Sequence, residues 1–289
     1  MTVDHADSTP SVETLITTED FETSRVSQLN LAWSDLKDGM LQWRIWIMLA
    51  YQDIGLRYRR SVLGPFWITL SMAITVYSMG YLYSNLFRTD MRHYFPFLVS
   101  GILSWSLLSA LIVESTDGFL TAQSMKEMKL PYSLHIHRVI ARNLLIFFHN
   151  ILVMIPVFIF FHKEIKIDLC TLFLIPALAI IYLNCLFYGI FLAVLGARYR
   201  DIGPVVKSLV QVIFFVTPVM WGPESLTGIK HWIVDLNPFY AFLELIRQPL
   251  LGHLPSAANI CFAGMMTILG FLMSAHIFIR CRARIIYWL

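Results

Sequence analysis

Six long stretches with no charged side chain, or only one, constrain this chain more than any other feature of its sequence. Each is at least 20 residues long. A helix needs about 20 mostly apolar residues to cross the hydrocarbon core of a bilayer. The sequence therefore predicts an all-α membrane protein with six transmembrane helices. The predicted spans are 61–87, 94–113, 140–161, 169–197, 202–223 and 254–279.

Composition excludes an ordinary soluble domain. Hydrophobic residues make up 57% of the chain and charged residues 14%, whereas soluble domains average about 45–50% and about 25%. Residues 1–30 are polar and acidic and lack the basic and apolar segments of a signal peptide. We therefore expect a polar N-terminal tail, 1–30, followed by a membrane domain, 31–289.

The lysines and arginines between the spans predict the orientation. Cytoplasmic loops of membrane proteins carry an excess of these residues. If the N-terminus is cytoplasmic, twelve lie inside and six outside, which places both termini in the cytoplasm. The inner set is Arg57, Arg59, Arg60, Lys126, Lys129, Arg138, Arg198, Arg200, Lys207, Arg280, Arg282 and Arg284. The outer set is Arg88, Arg92, Lys163, Lys166, Lys230 and Arg247.

Two segments are too polar or too broken to cross a membrane. Segment 41–60 combines tryptophans with a basic end, which is typical of an amphipathic helix at the membrane interface. A solvated helix packed on a partner protein is the alternative. Segment 222–253 contains three prolines and only short apolar pieces. We predict two short re-entrant helices on the external side, joined near Asn237-Pro238, with an ordinary external loop as the alternative.

The cytoplasmic connection 117–138 contains a predicted coupling helix. The helix ends before Pro131, because a proline disfavours α geometry in the residue before it. Apolar and charged residues alternate in this segment, a pattern that suits docking into a groove on a soluble partner. A helix lying on lipid headgroups is the alternative. The predicted coupling residues are Phe119, Leu120, Met125, Lys126, Met128 and Lys129.

Motifs for catalysis are absent from the sequence. No glycine is followed by lysine, so the chain lacks the loop that binds nucleotide phosphates. We therefore expect a permease subunit rather than an enzyme, with any ATPase on a separate chain. The four cysteines form no CxxC pair, and we expect no metal site. Gly189, Ala193, Gly196 and Ala197 give the fourth span a small-residue face for close helix packing.

Several ordered motifs together resemble a known family. They are LRYRRSVLGPFWITLSMAITVYSMGYLY at 56–83, ARYRDIGPVVKSLVQVIFFVTPVMW at 197–221, LNPFYAFLELIR at 236–247 and the terminal RCRARIIYWL. This combination resembles the permease subunit of type-2 ABC exporters. Within that family the chain looks most like the branch that exports lipid-linked O-antigen, capsule or teichoic acid.

The resemblance implies the partners and the cargo. It implies a homodimer in the bacterial inner membrane, bound to two copies of an ATPase subunit that holds ATP and Mg²⁺. The cargo would be an undecaprenyl-diphosphate-linked glycan, and no nucleic acid is expected. Two alternatives stay open: an exporter of lipids or drugs in the same family, and an ion-coupled secondary transporter. The second is disfavoured because the spans hold almost no ionisable residues.

Two sets of side chains are candidates for contact with such a cargo. Aromatic rings stack on the apolar faces of sugars, although an aromatic belt or plain packing would also explain them. The candidate pathway residues are Phe66, Trp67, Tyr77, Tyr81, Phe214, Phe215 and Trp221. Arg57, Arg59 and Arg60 could attract a diphosphate head group or anchor the protein at the cytoplasmic surface.

Overall fold

The computed structural model describes residues 18–59, 61–64, 66–120, 130–163, 165, 168–225 and 232–289, with side chains from residue 28 onward except that of Ser225. Within these residues all regular structure is helical. The α-helices are α1 Thr18–Leu41, α2 Trp43–Arg57, α3 Phe66–Phe87, α4 Met91–Thr116, α5 Tyr132–Ile151, α6 Met154–Phe160, α7 Leu174–Arg198, α8 Ile202–Val216, α9 Trp232–Asp235, α10 Pro238–Leu250 and α11 Ala257–Trp288. Two short 3-10 helices span Leu169–Phe173 and Pro223–Ser225.

Four helical segments of the described chain are long and apolar enough to cross a membrane. They are Met91–Thr116, Tyr132–Phe160, Leu169–Arg198 and Ala257–Trp288, and they correspond to the second, third, fourth and sixth predicted spans. The first predicted span contains α3, which carries no charge but is rich in tyrosine, serine and threonine. The all-helical class is confirmed, and the full set of six spans stays a prediction.

The fifth predicted span was too long. Helix α8 ends at Val216 rather than at 223, because Pro218 follows and Thr217 adopts an extended backbone. Its 15 residues rise about 22 Å at 1.5 Å per residue. That length falls short of the roughly 30 Å hydrocarbon core.

Other helix boundaries also differ from the predicted ones. Helix α5 begins at Tyr132, directly after Pro131, so His135 and His137 are buried in its first turns rather than in a loop. The third span breaks between α5 and α6, just before Pro156, whose ring removes a helical hydrogen bond. Helix α11 continues to Trp288 instead of ending at 279. Part of the predicted tail is helical, since α1 begins at Thr18.

Helix α4 is the centre of the bundle. It packs against α3, α5, α7, α8 and α10. The predicted small-residue face of α7 is confirmed, since Gly189, Ala193, Gly196 and Ala197 are all buried. An added Cβ at Gly196 would overlap the backbone oxygen of Thr116, and one at Gly189 would crowd Ser115. Glycine therefore lets α7 and α4 approach closely.

Helices α9 and α10 flank Asn237-Pro238, where the sequence predicted a joint between two helices. The Asn237 side chain accepts a hydrogen bond from the Phe239 amide, and Pro238 occupies the first turn, a favourable start for a helix. Helix α10 is largely buried and packs against α4, α7 and α11. The insertion of this pair into a membrane stays a prediction.

Candidate translocation groove

An open groove runs between α4 and α8 and encloses about 660 Å³. Its lining residues recur every three or four positions on each helix, so each set forms one stripe on a helical face. Aromatic residues line one end of the groove and charged residues line the other. The α4 stripe is Trp105, Ser109, Ala110, Val113 and Glu114, and the α8 stripe is Lys207, Val210, Gln211, Phe214 and Phe215.

One end of the groove is aromatic. The Phe214 ring packs against Trp105 at a centroid distance of 5.6 Å and against Phe215 at 5.4 Å. Trp105 is buried and is also supported by Phe239 of α10. Phe215 is 72% exposed. This end therefore presents an exposed ring, Phe215, that packs on Phe214 and, through it, on the buried Trp105.

The other end of the groove is charged. Glu114 and Lys207 lie there, about two helical turns from the rings. Glu114 accepts hydrogen bonds from Arg142 at 2.7 Å and Asn143 at 2.6 Å, and Arg57 lies 3.5 Å from its other oxygen. The Lys207 side chain is exposed at this end. Lys207 is therefore available to an anion in the groove.

An ionic network joins this end to helix α2. Arg142 also binds Asp53 of α2 at 2.8 Å, and Arg138 binds the same carboxylate through its Nε at 2.8 Å. Burial tends to raise the pKa of Asp53, but the two guanidinium groups outweigh burial and hold that pKa below its ordinary value. The carboxylate is therefore ionised at neutral pH. The network joins α2, α4 and α5. It contains three guanidinium groups and two carboxylates, so its net charge is positive.

The predicted pathway residues do not all lie together in the structure. Phe214 and Phe215 line the groove, and Trp221 lies nearby, half-buried, donating its indole N–H to the Phe215 oxygen at 3.3 Å. Phe66, Trp67 and Tyr81 are exposed on α3, which does not line the groove. Tyr77 is half-buried, packs against Phe95, and donates its hydroxyl to the Val153 oxygen at 2.7 Å.

The structure describes only some of the predicted coupling and basic residues. Phe119 is fully buried and packs against Tyr132, so within the protomer it contributes no surface for a partner. Leu120 is half-buried. Arg57 lies at the charged end of the groove and Arg59 is exposed. Four coupling residues and one arginine lie outside the described residues: Met125, Lys126, Met128, Lys129 and Arg60.

A buried arginine connects α10 to the end of α8. Arg247 is 0% exposed and donates to Glu244 at 2.9 Å. Its other terminal nitrogen donates to the Pro218 and Val219 oxygens at 2.8 and 2.9 Å. The guanidinium lies 4.1 Å from the centre of the Phe97 ring on α4. The sequence analysis counted Arg247 only as a charge on the external side and did not predict its burial in α10.

Sequence reasoning missed most of the charged residues of this region. Arg138 was counted only for orientation, Arg142 lay inside the third predicted span and was not counted, and Glu114, Gln211 and Asp53 were given no role. A signal was present, since Arg138 and Arg142 are four residues apart and share one helical face. Their carboxylate partners could not be identified because they lie on other helices. No group of three or more metal-ligating side chains occurs among the described residues.

Long apolar helices around a buried central helix, with a partly polar groove along one side, are typical of an integral membrane protein. The family model of ABC-2 type transporters matches residues 44–251, which is more than half of the chain. The chain belongs to the ABC-2 type transporter family. Membership implies a membrane context and an ATPase partner.

Curated relatives belong to one kind of exporter. The chain is 22% identical over 232 residues to an O-antigen export system permease protein RfbA of Klebsiella pneumoniae, covering 79% of this chain and 87% of that protein. A second such protein of Klebsiella pneumoniae is 22% identical over 201 residues, covering 68% and 76%. A protein of the same name from Myxococcus xanthus is 23% identical over 221 residues, covering 73% and 82%.

Proposed function

We propose that this chain is the transmembrane subunit of an ATP-driven exporter of a lipid-linked polysaccharide. Two copies would form a homodimer in the bacterial inner membrane, with both termini in the cytoplasm and six spans each. Two separate ATPase subunits would supply ATP and Mg²⁺. The cargo would be a glycan on undecaprenyl diphosphate. The similarity to three O-antigen export permeases supports this choice of cargo.

The groove between α4 and α8 is the observation on which the proposal rests. A sugar polymer offers apolar ring faces and many hydroxyls, and the groove combines aromatic rings with Ser109 and Gln211. Ring stacking and hydrogen bonds of this kind hold sugars without fixing one sequence of them. The exposed Phe215 would contribute a stacking surface.

The charged end of the groove suits the diphosphate. Lys207 is exposed there, and the half-exposed Arg57 lies beside Glu114. Because three guanidiniums face two carboxylates in the adjoining network, the local charge is positive before Lys207 is added. A diphosphate entering from the cytoplasm would be attracted to this end. Arg59 and Arg60 would extend the attraction along the membrane surface.

ATP hydrolysis would reach the permease through segment 117–130. Leu120 and the neighbouring Met125, Lys126, Met128 and Lys129 would dock on the ATPase subunit. Methionines adapt to a groove whose shape changes during a cycle. Charge reversal at Lys126 and Lys129 should uncouple hydrolysis from export. Crosslinking from position 125 or 128 to the ATPase tests the contact.

The test of the groove compares two exposed phenylalanines. Phe215→Ala removes the ring from the groove, whereas Phe160→Ala removes one that is 77% exposed on α6, away from it. We expect surface glycan to fall several-fold in cells carrying Phe215→Ala and to stay unchanged with Phe160→Ala. Both variants should co-purify with the ATPase in normal amount. Equal export by the two variants would contradict the groove as a sugar pathway.

A second candidate function is export of a lipid or a drug. A cavity of about 400 Å³ with almost wholly apolar walls lies between α4, α7 and α8, and residues of α10 and α11 complete its lining. Leu111, Ile181, Leu209 and Phe242 are among the side chains that line it. The cavity could hold an apolar molecule. Stimulation of ATP hydrolysis by hydrophobic drugs, but not by the lipid-linked glycan, would favour this candidate over polysaccharide export.

A further inference from the structure

Asp35 of α1 is a buried carboxylate that binds the beginning of another helix. Its side chain is 1% exposed. One oxygen accepts the backbone N–H of Ser133 at 3.0 Å and the other accepts that of Tyr132 at 3.2 Å. These two amides belong to the first turn of α5. The residue just before α5, Pro131, has no side-chain oxygen with which to cap it.

The bonds to Tyr132 and Ser133 satisfy donors that α5 cannot satisfy itself. The first four N–H groups of a helix have no partner within the helix, and the helix dipole favours a negative charge at this end. A residue directly before the helix ordinarily supplies the cap. Here Asp35 supplies it from a position 98 residues earlier in the chain. The cap therefore joins α1 to α5 as well as stabilising α5.

Asp35 also binds the cytoplasmic part of α11. Arg282 donates through two nitrogens to one Asp35 oxygen, each at 3.2 Å. The Ser133 hydroxyl donates to the Asp35 backbone oxygen at 2.7 Å. One turn further along α1, Gly39 lies so close to Ser133 that a Cβ there would overlap its hydroxyl. One carboxylate thus fixes three elements, α1, α5 and α11, at a single point.

We propose that Asp35 is a positioning residue for energy coupling. The point it fixes lies immediately after segment 117–130, the proposed docking site of the ATPase. Movement of that segment reaches α5 at Tyr132 and Ser133, and Asp35 transmits it to α1 and α11. The proposal rests on the proposed function, because coupling requires an ATPase partner. It assigns the N-terminal helix a part in transport.

The experiment measures glycan exported per ATP hydrolysed in proteoliposomes that contain the full permease and its ATPase. Asp35→Ala removes both side-chain acceptors, and Asp35→Asn keeps one side-chain oxygen, which can accept one amide N–H. We expect the ratio to fall about fivefold in Asp35→Ala, because loss of a typical helix cap shifts a conformational equilibrium by about that factor. The ratio for Asp35→Asn should lie between the ratios for Asp35→Ala and the wild type. ATP hydrolysis should continue in both.

The controls separate the cap from the ion pair and from folding. Asp38→Asn makes the same chemical change at an exposed position on α1 and should leave the ratio unchanged. Arg282→Gln removes the ion pair but keeps the cap, so its effect should be smaller than that of Asp35→Ala. The double variant Asp35→Arg/Arg282→Asp restores opposite charges but places no acceptor at the α5 amides, so it should not recover the ratio.

Three results would overturn the proposal. The first is an unchanged ratio in an assembled Asp35→Ala complex. The second is a loss of complex and of export in equal proportion, which would make Asp35 purely structural. The third is full recovery by the charge swap. A wild-type chain that neither bound an ATPase nor exported glycan would instead overturn the proposed function.

Discussion

Single buried charges determine how the ends of the helices are held. Arg247 makes three hydrogen bonds and a ring contact without exposure to solvent. Two of its acceptors are backbone oxygens at the end of α8, where Pro218 interrupts the helix. The arginine therefore stabilises the turn that ends α8, and its planar, branched group is what allows one side chain to reach all these partners.

Lysine cannot replace this arginine. We expect Arg247→Lys to lower the free energy of unfolding by about 2–4 kcal/mol, because backbone oxygens and Glu244 lose their donors in a buried site. Chemical denaturation in mild detergent measures the difference. Arg92→Lys, at an exposed position before α4's buried stretch, should change stability by less than about 0.5 kcal/mol. Equal effects of the two changes would show that Arg247 is not a structural centre.

The Arg142 side chain bridges two helices at the charged end of the groove. Arg142→Gln should lower the free energy of unfolding by about 1–3 kcal/mol, because the charge-assisted bonds to Asp53 and Glu114 are both lost. The midpoint of thermal unfolding in detergent should fall accordingly. Arg59→Gln makes the same change at an exposed arginine close to Arg57 in the sequence and serves as the matched control. A midpoint that is unchanged in Arg142→Gln would mean that the network adds no stability.

At the scale of helices, close packing depends on where glycine lies. Gly196 of α7 faces the backbone of Thr116 on α4, whereas Gly264 of α11 has no atom within 4 Å of an added Cβ. Gly196→Ala should lower the free energy of unfolding by about 1–3 kcal/mol, because α7 and α4 must move apart to make room for the added methyl group. Gly264→Ala should be neutral or stabilising by up to about 1 kcal/mol, because alanine favours a helix.

The two glycine variants are compared by thermal unfolding of the detergent-purified chain. Each adds one methyl group to an apolar helix, so lipid and detergent effects are matched. A decrease in the unfolding midpoint for both variants, or for neither, would contradict close α4–α7 contact at Gly196.

Helix boundaries show what local sequence can predict. The C-terminal end of α8 follows from Pro218 and the start of α5 from Pro131, because a proline acts on the residues beside it. The sequence analysis used Pro131 to end the coupling helix, a prediction that falls outside the described residues and stays untested. It extended the fifth span through Pro218, because apolar residues continue beyond it. The small-residue face of α7 was predicted correctly because its spacing repeats along one helix.

At the scale of the molecule, orientation in the membrane is testable. We expect a reporter fused after Leu289 to be active only in the cytoplasm, because basic residues predominate on that side. A C-terminal reporter that was active only in the periplasm would contradict the proposed topology. A reporter inserted after Thr89, between α3 and α4, should give the opposite result from that at Leu289.

The sequence by itself determined that this protein is helical and belongs in a membrane. Long apolar runs leave backbone groups without water, and a helix satisfies those groups within one segment. Only the tertiary structure decided which helices meet. It placed α4 beside α8 to form the groove, and it brought Arg282 to Asp35 across 247 positions of the chain. Hydropathy and spacing act over a few turns, whereas such pairings depend on how whole helices pack.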